Sequence, residues 1–93
     1  MTPTIVNVDG LPTIHAKPLT LGQIRQIEAE SDTFSRIARH FQVRAKDLEG
    51  RPLVQPSEFD EFLRYADANI ITEAVAQMQK HDGESFEDTE KKS

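Results

Sequence analysis

The sequence contains no cysteine and no tryptophan, and its four glycines stand far apart along the chain. Without cysteine the chain can form no disulfide, no thiolate nucleophile and no cysteine-ligated zinc site. Isolated glycines cannot form the glycine-rich loop that binds phosphate groups. No apolar run approaches the roughly 20 residues of a membrane-spanning helix, and the N-terminus lacks the pattern of a secretory signal. These absences predict a cytoplasmic protein with no membrane partner.

Side chains that could carry catalysis are present but scattered. The three histidines, His15, His40 and His81, are far apart, and none has a second ligand at the spacing that a metal ion requires. The carboxylates fall on the predicted polar faces of helices, where solvation and helix N-termini account for them. The serines show no nucleophile motif. We therefore expect no catalytic, cofactor-binding or metal-binding residue, and a protein that is not an enzyme.

The net charge of −5 is unevenly distributed. Residues 82–93 carry five acidic side chains against two lysines, and they include a single apolar aromatic residue, Phe86. We predict that residues 1–81 form one helical domain and that residues 82–93 form a disordered acidic tail. The domain itself is slightly acidic, so it has no general attraction for a phosphate backbone. Nucleic acid is therefore not the expected partner.

The first 18 residues favour extended structure. The segment from Thr4 to Val8 is rich in β-branched residues, and it is followed by the turn signal Asp9-Gly10. A second extended stretch runs from Leu11 to Lys17, and Pro12 and Pro18 keep it from being a central strand. The pattern predicts a short hairpin or a pair of extended arms.

The rest of the sequence predicts a cluster of three or four helices. Thr20 and Gln23 have the spacing of a capping box, Ser31 or Asp32 can begin a second helix, and Ser57 can begin a third. Whether the third helix continues through residues 67–69 into the last one, which ends near Gly83, is left open. The predicted apolar faces are Leu21, Ile24 and Ile27 in the first helix, Phe34, Ile37, Ala38 and Phe41 in the second, Phe59, Phe62 and Leu63 in the third, and Ile70, Ile71, Ala74, Val75 and Met78 in the last.

Residues 34–43 also resemble the first helix of a helix-turn-helix. Basic side chains gather around this segment: Arg36, Arg39, Arg44, Lys46 and Arg51. A DNA-reading helix would have to follow at once, yet only residues 45–49 remain before Gly50-Arg51-Pro52. We favour an ordinary amphipathic helix with a basic outer face, and keep a small DNA-binding regulator as an alternative.

The segment Pro18-Leu19-Thr20-Leu21-Gly22-Gln23-Ile24-Arg25-Gln26-Ile27-Glu28 resembles the tail assembly chaperones of long-tailed bacteriophages, which have an extended segment leading into a similar helix start. The similarity continues in the loop at residues 48–53 and in the helical region at residues 57–80. It implies a chaperone in virion morphogenesis, acting in the cytoplasm of the bacterial host. Such a chaperone binds the tape measure protein, keeps it soluble and helps to bring tail tube subunits to it.

The candidate partner-binding residues are Arg36, Arg39, Tyr65 and Phe86. The two arginines belong to the basic outer face of the second helix, and Phe86 is a lone apolar anchor in an acidic segment, as in short interaction motifs. An unrelated helical interaction module is a further alternative to the chaperone. Self-association through the apolar helix faces is left open.

Overall fold

The computed structural model describes residues 3–92, with side chains described for residues 3–82. Within this range the chain forms an N-terminal antiparallel hairpin followed by four α-helices, which confirms the predicted mainly helical class. The elements are β1 Thr4–Val6, β2 Ile14–Ala16, α1 Leu21–Glu28, α2 Thr33–Arg44, α3 Phe59–Tyr65 and α4 Ala68–Lys92.

The N-terminal element is a hairpin in which Ile5 lies opposite His15. The chain reverses in a turn closed by the Leu11 amide, which donates to the Val8 carbonyl at 3.1 Å. Gly10 sits in this turn with φ +94°, a conformation that residues with a Cβ rarely adopt. Antiparallel bridges from Lys46 to His15 and to Pro52 widen the hairpin on its β2 side.

The first two helices begin at the predicted caps. The Thr20 hydroxyl accepts the Gln23 amide at 3.1 Å, and the Gln23 side chain accepts the Thr20 amide at 3.0 Å, which completes the capping box. Asp32 caps α2, because its carboxylate accepts the Ser35 amide at 2.9 Å and the Ser35 hydroxyl at 2.8 Å. These bonds from Ser35 hold the pKa of Asp32 below its usual value.

The start of the third helix differs from the expectation at Ser57. A 3₁₀ turn, Pro56–Glu58, precedes α3, and the Glu58 carboxylate accepts the Gln55 amide at 2.8 Å. Pro56 suits the first turn because its fixed φ is already helical. The helical conformation is interrupted between α3 and α4. The Asp67 carboxylate accepts the amides of Asn69 and Ile70 at 2.9 and 3.1 Å and so caps the start of α4.

The last helix, α4, ends at Lys92, which is beyond the end predicted near Gly83. One glycine inside a helix costs only about 1 kcal/mol relative to alanine, so it does not oblige a helix to stop. Asp82, the first residue of the predicted acidic tail 82–93, belongs to α4 and accepts hydrogen bonds from Arg44. The side chains of residues 83–93 lie outside those that the structure describes, so the disorder of these residues stays a prediction.

The core lies between the inner face of α4, the hairpin and α2. Phe41 of α2 is 2% exposed, and its ring stacks on that of Phe62 with centroids 5.3 Å apart. The buried cluster consists of Val6, Ile14, Ala16, Phe41, Ala45, Ile71, Ala74, Val75 and Met78. Helices α1 and α3 pack from outside on α2, so they add little to this cluster.

Three of the predicted apolar faces are therefore only partly used. Phe34, in the first turn of α2, is 68% exposed and borders a surface hollow with Leu63 and Ile71. Leu63 of α3 is 43% exposed, and no residue of α1 is buried. These positions were expected in the core and lie at the surface instead. Within the described residues, no helix combines the length and the hydropathy needed to cross a bilayer.

Candidate functional site: a cavity beside the hairpin

A cavity of about 430 Å³ opens between the end of the hairpin, the start of α1 and the turn that follows α2. This volume lies within the range typical of small-ligand pockets. Its apolar lining is Pro3, Pro18, Val43 and Leu48. Its charged lining includes Lys17, Lys46, Asp47 and Glu49, with Arg44 at the base.

The turn at residues 47–50 holds one wall of the cavity in place. One oxygen of the Asp47 carboxylate accepts the amides of Glu49 and Arg51, both at 2.9 Å. These contacts keep the pKa of Asp47 below its usual value. The bond from the Arg51 amide has the largest effect, and the charge of the Arg51 guanidinium and the bond from the Glu49 amide add to it. Gly50 completes the turn with φ +84°. A well-bonded turn thus presents Leu48, whose side chain is 77% exposed, to the solvent.

The charges around the cavity are unevenly paired. The two carboxylates on the turn, Asp47 and Glu49, both contact Arg51, at 3.2 and 3.3 Å. Lys46 donates from its ammonium group to the Val43 carbonyl at 3.2 Å. Among the described side chains, neither Lys46 nor Lys17 has a carboxylate within ion-pair distance. Within residues 3–82, two ammonium groups at this site therefore have no acid that neutralises them.

Beneath the cavity lies Arg44, a buried arginine with a full set of partners. Its guanidinium donates to the two carboxylate oxygens of Asp82 at 2.7 and 2.6 Å and to the Lys17 carbonyl at 2.7 Å. The Nε2 atom of His40 lies 3.3 Å from the same guanidinium. Burial, and then the charge of Arg44, lower the pKa of His40 to about 4, while the charge of Asp82 opposes the shift.

The sequence predicted that the basic residues between positions 36 and 51 lie on one surface. The structure shows that they do not. Arg44 is inside the protein, bonded to Asp82, and Arg51 is paired with the two acids of its own turn. The chain after α2 enters the bridges of Lys46 to His15 and Pro52, so residues 45–55 contain no DNA-reading helix. The second half of a helix-turn-helix is thus missing.

The predicted partner-binding arginines are held by contacts within the chain. Arg39 donates to the Glu30 carboxylate and to the Gln42 side chain, both at 3.0 Å, and its guanidinium lies 3.6 Å from the centroid of the Phe59 ring. Arg36 donates to the Glu30 carbonyl at 3.0 Å. Both side chains therefore fasten the connection between α1 and α2.

The two aromatic residues among the predicted partner-binding residues are Tyr65 and Phe86. Tyr65 is 74% exposed at the end of α3 and borders a surface hollow with Leu53, Val54 and Phe62. Phe86 lies outside the residues whose side chains are described. Arg36, Arg39 and Tyr65 do not line the cavity beside the hairpin.

The cavity residues were missed in the sequence because they come from three separate segments. One local signal was available: Asp47 and Gly50 flank a leucine in a pattern typical of a bonded turn. Among the side chains described, no three histidine, aspartate or glutamate residues come together as metal ligands. No protein-family model matches the chain, and no curated protein or solved structure is detectably similar to it.

Proposed function

We propose that this protein is a non-catalytic chaperone of the phage tail assembly type. It binds the tape measure protein in the host cytoplasm, keeps it soluble and recruits tail tube subunits. The observation that carries the proposal is the exposure of Leu21, Phe34 and Leu48, at 83%, 68% and 77%, on a domain whose core is already filled.

Helix α1 illustrates the physical argument. Its apolar residues Leu21 and Ile24 have helical spacing, yet both are exposed, and none of the eight residues of α1 is buried. A lone exposed leucine is ordinary on a protein surface, whereas an amphipathic helix whose apolar face is only partly covered is typical of a partner-binding surface. The partner of such a face is an apolar helix, which fits a long helical tape measure protein.

Net charge supports the same proposal. A chaperone that covers apolar helices has to remain soluble itself, and a net charge of −5 on 93 residues provides mutual repulsion between copies. Light scattering at increasing concentration measures whether the same apolar faces also join copies of the chain.

The test is co-expression with the tape measure protein from the same genome, followed by measurement of its soluble fraction. We expect the wild-type chain to raise this fraction and the double variant Leu21→Ser, Ile24→Ser to raise it less. The matched control is Gln26→Ser, an exposed polar residue on the same helix. A tape measure protein that is equally insoluble with and without the chain would overturn the proposal.

A further inference from the structure

The cavity beside the hairpin is lined by both apolar and charged side chains, so a purely apolar helix does not match it. One side is apolar, formed by Val43, Pro18 and the exposed Leu48. The other side carries the ammonium groups of Lys17 and Lys46. A site with a fixed apolar wall, and with cations that have no carboxylate partner among the described side chains, is complementary to a peptide that carries an apolar side chain among carboxylates.

We propose that this cavity binds an acidic segment of the protein partner, with one apolar side chain against Leu48 and flanking carboxylates on Lys17 and Lys46. The proposal rests on the proposed chaperone function, because it assigns a second contact to the same kind of partner. It predicts a site that is separate from the apolar face of α1.

Charge complementarity supports an anionic occupant. The carboxylates that line the cavity, Asp47 and Glu49, are already engaged by Arg51, and Arg44 is engaged by Asp82. When Arg51 and Asp82 are counted with the lining residues that they contact, four cations (Lys17, Arg44, Lys46, Arg51) outnumber three carboxylates (Asp47, Glu49, Asp82), although the whole chain is acidic. Among the described side chains the site therefore carries a net charge of +1, which attracts an acidic ligand and repels a basic one.

The geometry of Lys46 favours a bound carboxylate. Its ammonium group donates to the Val43 carbonyl, a carbonyl that also accepts the Gln23 amide group at 3.1 Å. An ammonium group has three donors, so this one bond orients Lys46 toward the cavity and leaves further donors for a ligand. The neighbouring turn is held by the Asp47 bonds, so Leu48 is presented with little loss of conformational freedom on binding.

The probe is a fluorescein-labelled peptide, Gly-Ser-Glu-Glu-Phe-Glu-Glu-Ser-Gly, titrated with the full chain while fluorescence anisotropy is measured. Two comparison peptides replace the phenylalanine by alanine or the four glutamates by lysine. We expect the acidic phenylalanine peptide to bind about tenfold more tightly than either, and its affinity to fall as salt rises from roughly 0.05 to 0.5 M. Equal affinity for the acidic and the basic peptide would overturn the proposal.

Variants locate the binding site. We expect the double variant Lys17→Gln, Lys46→Gln to bind the acidic peptide about tenfold more weakly, and Leu48→Ala to lose the preference for phenylalanine over alanine. The matched control is Lys80→Gln, an exposed lysine of α4 that does not line the cavity. An equal loss in Lys80→Gln would place the binding elsewhere and overturn the assignment. Circular dichroism of each variant verifies that the fold is kept.

This outcome is separable from that of the chaperone proposal. If the acidic peptide does not bind while the chain still keeps the tape measure protein soluble, the cavity assignment is wrong and the chaperone function stands. If the peptide binds while the tape measure protein stays insoluble, the cavity is a peptide site and the chaperone function fails.

Discussion

Arg44 and Asp82, 38 residues apart in the chain, form a two-bond ion pair in which the arginine side chain is only 1% exposed. The pair joins the end of α2 to α4. The carboxylate is 40% exposed, so water still reaches one partner. The pair therefore compensates a charge that is inside the protein with one that lies at its edge.

Removal of the carboxylate should destabilise the fold, because it leaves the guanidinium buried without its counter-charge. We expect Asp82→Asn to lower the free energy of unfolding by about 2 kcal/mol, less than for a fully buried pair since solvent screens the exposed carboxylate. Urea denaturation measures the change, and Glu73→Gln on the exposed face of α4 is the matched control. A loss no larger than that of the control would show that water alone satisfies Arg44.

His40 predicts a specific dependence of stability on pH. Burial and the charge of Arg44 lower its pKa in the folded state to about 4, below the ordinary histidine value of 6.5. The unfolded chain therefore takes up a proton first, and stability that is fully present above pH 6.5 is lost as the pH falls toward 4. The loss from this one residue is on the order of 3 kcal/mol, since each pKa unit corresponds to about 1.4 kcal/mol.

The check is to compare unfolding of the wild type and His40→Gln at neutral pH and near pH 4. Asp32 and Asp47, whose pKa values are lowered, also lose stabilising contacts in acid, but they do so in both proteins. The difference between wild type and variant thus isolates His40. We expect the variant to lose less stability than the wild type over this interval. Parallel curves would mean that His40 does not titrate differently in the folded state.

Helix starts were predictable from the sequence because caps are local. The bonds between Thr20 and Gln23, and between Asp32 and Ser35, join residues three positions apart. The third start was not predictable, because both Ser57 with Asp60 and Gln55 with Glu58 have capping spacing. Pro56 suits the second alternative, and the structure adopts it.

The candidate site was not predictable from the sequence, because it depends on contacts between residues that are far apart in the chain. The burial of Arg44 depends on Asp82, and the cavity depends on the hairpin reaching Lys46 through the bridge to His15. No local pattern marks such long-range contacts, so the five basic residues were interpreted as one exposed patch. Sequence periodicity reports which face of a helix is apolar, but not which part of that face another element covers.

Two glycines with positive φ provide a matched pair of substitutions. Gly10 has φ +94° and Gly50 has φ +84°, so alanine is strained at both. A Cβ at Gly10 would lie 3.0 Å from the Ile70 side chain, whereas one at Gly50 would meet nothing within 4 Å. We expect Gly50→Ala to cost about 1 kcal/mol and Gly10→Ala to cost more, as measured by thermal or urea unfolding. A larger loss at Gly50 would contradict the role of the Ile70 contact.

Phe34 and Phe41 lie two turns apart in α2, yet truncation should lower the free energy of unfolding strongly at Phe41 and hardly at all at Phe34. Phe41 is 2% exposed and stacks on Phe62, so Phe41→Ala should cost about 3–5 kcal/mol. Phe34 is 68% exposed, so Phe34→Ala should change the free energy of unfolding by no more than about 0.5 kcal/mol. If Phe41→Ala does not fold, Phe41→Leu with a loss of roughly 1 kcal/mol keeps the comparison measurable. A large loss at Phe34 would mean that this ring is covered in the folded protein, and that it is not free to bind a partner.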